Sequence, residues 1–169
     1  PGLEGFDMEL CQALAVAMFL GDDEAVEYVY LKDTEAGYSL LAEGGLDVLT
    51  GAVVSLPTEA REPSTGHGFA LSTPYFYDED GSVKCLASSE ESHDWATFVQ
   101  AVLSGLIYAD ELGIDRESSN DMPIIYIFGD RHNRLFRDVV VTIGSYADIY
   151  DRTMDEMIPR SGRNRLNKM

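Results

Sequence analysis

Phe6, Leu10, Leu14 and Met18 fall at four-residue steps, with Cys11 and Ala17 beside them. That spacing draws one apolar stripe along an amphipathic helix, predicted over about residues 6–20. Gly21 is its stop signal. Residues 26–31 (VEYVYL) are dense in Val and Tyr and predict a strand. Thr34 is placed to cap a second, short helix through Leu41, which Gly44 and Gly45 end. Residues 46–50 (LDVLT) form a short apolar run after those glycines, the mark of a buried parallel strand. An order of helix, strand, helix, strand predicts an α/β sheet with right-handed crossovers. The expected fold is therefore α/β, with a single open sheet flanked by helices.

The rest of the chain adds strands and then helices. Residues 51–68 are irregular, rich in Gly, Pro, Ser and Thr, and long for a connection inside one domain. Residues 69–77 (FALSTPYFY) read as extended, because Pro74 keeps its neighbour out of helix. Asp78–Gly81 is an acidic turn, and residues 82–87 a short strand. Trp95, Phe98, Val99, Val102, Leu103, Leu106 and Ile107 hold a helical period that Gly113 closes. Pro123 suits the first position of a short helix over residues 124–128. From Phe136, the series Val139, Val140, Ile143, Tyr146, Ile149 and Tyr150 predicts one further long helix. The basic tail after Pro159 is expected to pack back onto the acidic domain. The whole is read as one structural domain, residues 1–87 forming its first part and residues 88–169 a helical return.

Composition narrows the partners. Twelve basic residues face 30 acidic ones, a net charge of −18. A phosphate-binding face needs Lys and Arg, so nucleic acid and anionic membrane are not expected partners. No apolar run approaches the ~20 residues that span a bilayer, so no membrane insertion is expected. Cys11 and Cys85 have no CxxC or zinc spacing, and their pairing stays open. His67, His93 and His132 are scattered, so no metal site is expected. Ser55, Ser64 and Ser72 lack a GxSxG context, and there is no P-loop or GxGxxG. No cofactor and no enzyme activity follow from these residues.

Four motifs, in order, carry a resemblance. Gly5-Phe6-Asp7-Met8-Glu9-Leu10-Cys11 resembles the GFDvDLC opening of polar amino-acid binding proteins of ABC transporters. Leu41 to Leu49 resembles their helix-to-strand step, Thr58-Glu59-Ala60-Arg61 their T.eR motif, and Phe69 to Tyr77 their dFs.pYy. The later half is similar to one branch, the general L-amino-acid binding proteins. There Trp95 to Ile114 resembles a helix ending in EELGI, Ile143 to Arg152 resembles vGnYgEIyeR, and Ile158 to Asn167 resembles lpRGlNrLw. The resemblance implies lobe 1 of a type 2 periplasmic binding protein. The family inserts a whole second lobe between the strand near Ser82 and the helix near Trp95, and here about a dozen residues stand in its place. The family also places a strand ahead of Gly5, and an upstream segment or a second chain is expected to fill its place.

What the resemblance implies for function follows residue by residue. In the family an arginine of lobe 1 grips the ligand's α-carboxylate, and Arg61 matches it. The chemistry agrees, because a planar guanidinium makes two parallel hydrogen bonds to a carboxylate. Thr58 and Ser55 are hydroxyl candidates beside it, and Tyr75 an aromatic one. The ligand would be an amino acid or similar small carboxylate, the partner an ABC permease, and the compartment periplasmic or extracellular, although the chain carries no signal peptide. The rival reading is a homodimer, a regulatory or interaction module that has lost solute binding with its second lobe.

Overall fold

The computed structural model describes residues 3–53 and 68–166. They divide into two compact units, residues 29–100 and residues 1–28 with 101–169.

In the unit of residues 29–100, Asp33 opens helix α1′s successor, here labelled α2 (Thr34–Ala42), α1 being Leu3–Met18 of the other unit. The Asp33 carboxylate accepts from the Ala36 amide at 2.8 Å, so the cap stands one residue before the expected Thr34. Four strands form one open sheet: β1 (Leu49–Val53), β2 (Phe69–Leu71), β3 (Phe76–Tyr77) and β4 (Val83–Ser89). β1 lies along one edge of β4, while β2 and β3, parted by Pro74, lie along the other.

The α/β architecture with a single open sheet is as expected, but its direction is not. All three described ladders are antiparallel. The parallel strand predicted at residues 46–50 is instead β1, shifted three residues on and paired against β4. Residues 26–31 are not a strand. Val29 is 47% and Tyr30 78% exposed there. High β-propensity describes a side chain that fits a half-buried pleat, and without a neighbouring edge it builds nothing. α2 is therefore not a crossover between parallel strands.

β1 carries a bulge that decides what it buries. Leu49 stands opposite Ala87 and Ala52 opposite Cys85, so β1 spends one residue more than β4 over the same span. Gly51 takes φ +66° inside the bulge, a conformation that suits glycine. In a regular strand Leu49 and Ala52 would face opposite sides. The bulge brings both into one buried cluster with Leu41 and Ala87. α2 comes close enough that a Cβ on Gly37 would lie 2.5 Å from Leu49 Cδ1 and 2.8 Å from Leu31 Cδ1.

Helix α3 (His93–Leu112) starts in this unit and ends in the other. Its first turns are tied to the strand unit. Trp95 Nε1 donates to the Asp47 carbonyl at 2.9 Å. The Gln100 amide accepts from Thr73 N at 2.7 Å and donates to Thr73 Oγ1 at 3.1 Å.

In the other unit α1 packs on α4 (Leu135–Thr142) and α5 (Tyr146–Thr153). Phe6 meets Tyr146 and Tyr150 edge to face, with ring centroids 5.4 and 5.9 Å apart. The single helix expected from Phe136 to Tyr150 is two helices. Gly144 at φ +108° ends the first, and Ser145 starts the second through a capping box with Asp148. The helix expected over residues 124–128 is also absent. Pro123 can begin a helix, but the Ile125 amide donates to Asn133 O and Gly129 N to Tyr126 O, which makes a turn. α1 itself ends in a Schellman arrangement, with Gly21 N donating to Val16 O at 2.9 Å. The left-handed position belongs to Leu20, at φ +59°. A side chain there costs about 1–2 kcal/mol.

Gly37→Val should lower stability by about 1–3 kcal/mol, since the new side chain must displace Leu49 and Leu31 from the cluster. Urea denaturation checks it, and an unchanged midpoint would mean that α2 can retreat from β1 without loss.

Candidate functional site

β1 ends at Val53, and the chain runs from there into residues 54–67. Ser55, Thr58 and Arg61 lie in that stretch, outside the described residues. What the structure does define is the platform from which the stretch departs. Val53 is in register with Lys84 of β4, and Lys84 is also in register with Phe76 of β3. A cation therefore stands in the row where β1 ends. Asp80 is its acidic neighbour, and hydrogen bonds from Ser82 hold the Asp80 carboxyl below its ordinary range, with a smaller contribution from Lys84.

Tyr75 belongs to the platform. Its side chain is fully buried, and its hydroxyl accepts from the Gly51 amide at 2.7 Å. The bulge takes that amide out of the β1–β4 ladder, and an unsatisfied buried N–H is costly. Tyr75 thus supports β1 from inside the unit. The sequence marked the aromatic run of residues 75–77 but carried no sign that one hydroxyl would serve a bulge 24 residues earlier.

A second constellation was invisible in the sequence. Arg160 lies beneath the rings of Tyr146 and Tyr150, its guanidinium carbon 5.0 and 5.9 Å from their centroids. It forms an ion pair with Asp110, and its Nε donates to Asn164 O at 3.0 Å. The Asp110 side chain is only 2% exposed. Tyr150 donates its hydroxyl to Ile158 O at 3.0 Å, and Arg160 N donates to Asp155. Burial raises both tyrosine hydroxyls above the ordinary range, with the Arg160 charge opposing it. These contacts clamp residues 154–166 onto α3 and α5, as expected for the basic tail. The guanidinium is engaged on several sides, so the cluster is built to hold the chain rather than to receive a ligand.

Two further arginines gather at the end of α4. Arg152 and Arg116 both donate to the Ile143 carbonyl, at 2.9 and 3.2 Å. Arg152 is also paired with Glu9 of α1. Cations at a helix C-terminus oppose the negative end of its dipole. Cys11 and Cys85 are free thiols. Burial pushes Cys11 up to about 12, with help from the Asp7 charge, and Cys85 up to about 11. Thiols so poor in thiolate are weak nucleophiles. Among the described residues no group of His, Cys, Asp or Glu could hold a metal ion, and no helix is long and apolar enough to cross a membrane.

The chain matches no family model, no curated protein and no solved structure. The likeness to amino-acid binding proteins therefore rests on the order and spacing of its motifs.

Tyr75→Phe should cost about 1–3 kcal/mol by depriving the part-buried Gly51 amide of its acceptor. Hydrogen exchange at Gly51 should accelerate in step with the loss, and slow exchange there in the variant would refute the assignment. Arg160→Met should cost about 3–5 kcal/mol, because Asp110 stays buried without its counter-ion. Adding Asp110→Leu should recover much of that loss. A double-mutant cycle in urea measures this, and simple additivity would mean that the two groups do not act as a pair.

Proposed function

We propose that this chain is a single-lobe homologue of solute-binding proteins, taking an amino acid or similar small carboxylate for ABC-type transport, with Arg61 as the carboxylate grip. One observation carries the reading. β1 is braced by β4 and by Tyr75, and it leads directly into the Ser55, Thr58 and Arg61 stretch, with Lys84 in register at its last residue. Basic residues are few in a chain of net charge −18. Arg61 follows β1 in the chain and Lys84 is in register with its last residue, and together they would offer two cations to an anion. Ser55 and Thr58 supply hydroxyl donors to the same ligand, while Tyr75 holds the strand. The motif order cited above supports the carboxylate as the ligand, an extracytoplasmic compartment and a permease as partner.

The physics also limits the affinity. Small-ligand sites ordinarily bury most of the ligand. One lobe leaves the ligand largely in water, where an ion pair contributes about 1 kcal/mol or less. A Kd roughly in the millimolar range follows.

Calorimetry with a panel of L-amino acids and their amides tests the proposal. Free carboxylates should bind weakly and amides not at all, and Arg61→Ala should abolish the heat. Lys84→Met should weaken binding about threefold to tenfold, in keeping with a second, screened charge. Silence across the panel, or equal binding by the amides, overturns the reading.

A further inference from the structure

One loop exposes apolar side chains that its own geometry holds outward. Met122, 4% exposed, anchors it among Ala109, Ile114 and Val140. Beyond it Ile124 is 48%, Tyr126 64% and Ile127 72% exposed. The loop is braced: Ile125 N donates to Asn133 O at 3.0 Å, and Gly129 N to Tyr126 O at 3.0 Å. His132 Nε2 lies 3.1 Å from the Met18 carbonyl, which ties the loop to the end of α1. The next two residues of α1's exit, Phe19 and Leu20, are also exposed, and Leu20 is the residue held at φ +59°. An exposed leucine kept where glycine would be unstrained points to a use for its side chain. Contiguous exposed apolar groups of this kind mark contact surfaces.

Charge says what can cover them. Residues 119–138 carry three aspartates, Asp121, Asp130 and Asp138, and three arginines, Arg131, Arg134 and Arg137. The stretch is neutral in a chain of net charge −18. Arg137 is paired with Asp138, whereas Asp121, Asp130, Arg131 and Arg134 are exposed. Two copies of so acidic a chain repel over most of their surfaces. They repel least at residues 119–138, where the charges cancel, although Asp22, Asp23 and Glu24 follow Leu20 in the chain. A twofold contact sets each patch against itself, which can set Arg131 and Arg134 of one copy against Asp121 and Asp130 of the other. We propose that the loop of residues 123–134, with Phe19 and Leu20, is the self-association surface of this protein, and that the occupant is a second copy. The proposal is independent of the carboxylate reading.

Sedimentation velocity on the full chain over a wide concentration range should show a monomer–dimer equilibrium. Tyr126→Ser with Ile127→Ser should weaken it about tenfold or more, as the loss of central apolar anchors does. Leu20→Gly should weaken the dimer while raising the thermal midpoint of the monomer, because it relieves the left-handed leucine. Arg131→Glu with Arg134→Glu should also weaken it, as should Asp121→Arg with Asp130→Arg, each by about tenfold. Mixing those two charge variants should restore a dimer, since every contact between them pairs opposite signs. Rescue also shows that the variants are folded, which circular dichroism checks separately. A wild type that stays monomeric at every concentration, or charge variants that dimerise as well as wild type and gain nothing on mixing, overturns the proposal. A monomer would instead assign the loop to a different protein.

Discussion

Every described strand hydrogen-bonds to β4, so the sheet of residues 29–100 depends on seven residues, Val83–Ser89. β1 takes one of its edges, and β2 and β3 take the other. The constraint is directional. Once β1 runs antiparallel to β4, its inward side chains are set by register alone. A regular register would split Leu49 from Ala52, and the bulge at Gly51 reunites them. The cost of the bulge is an amide removed from its ladder, and the hydroxyl of Tyr75 meets it. One register choice thus accounts for a glycine, a buried tyrosine and the composition of a core cluster.

The other unit rests on a different kind of contact. Phe6, Tyr146 and Tyr150 form an aromatic core in which ring edges meet ring faces. The faces of the two tyrosines receive Arg160, which is neutralised by Asp110. Fifty residues separate that pair in sequence. Its role is to fasten a segment that has little apolar content of its own. Residues 159–165 (PRSGRNR) could not pack by hydrophobic burial, and a shielded charge does the work instead.

The candidate site divides along the same line. Arg61, Thr58 and Ser55 are singled out from the motif that contains them, and they lie outside the described residues. Tyr75 could be singled out as an aromatic but not assigned, because its role arises from a hydrogen bond to Gly51 that no local pattern foretells. Lys84 was not noticed at all. Its place opposite Val53 comes from the strand register. Pro123 and five apolar residues satisfy a helical start, yet the stretch after Met122 is an exposed loop. The pattern gave no hint that those side chains would face outward.

By itself the sequence determined the helices whose evidence is local. α1, α2 and α3 stand within about two or three residues of where apolar period, capping residue and terminal glycine put them. It also determined that the chain is α/β with one sheet, because runs of helical period and short strand-forming runs both occur along it. The break at Gly144–Ser145 has a local signal, a glycine followed by a capping residue, but the apolar series runs through it and predicts one helix. Tertiary structure alone decided the pairing. Residues 26–31 have the composition of a strand and are not one, while residues 83–89 hold the whole sheet. A strand is completed by a partner distant in the chain, so its existence, direction and register are properties of the fold rather than of the segment.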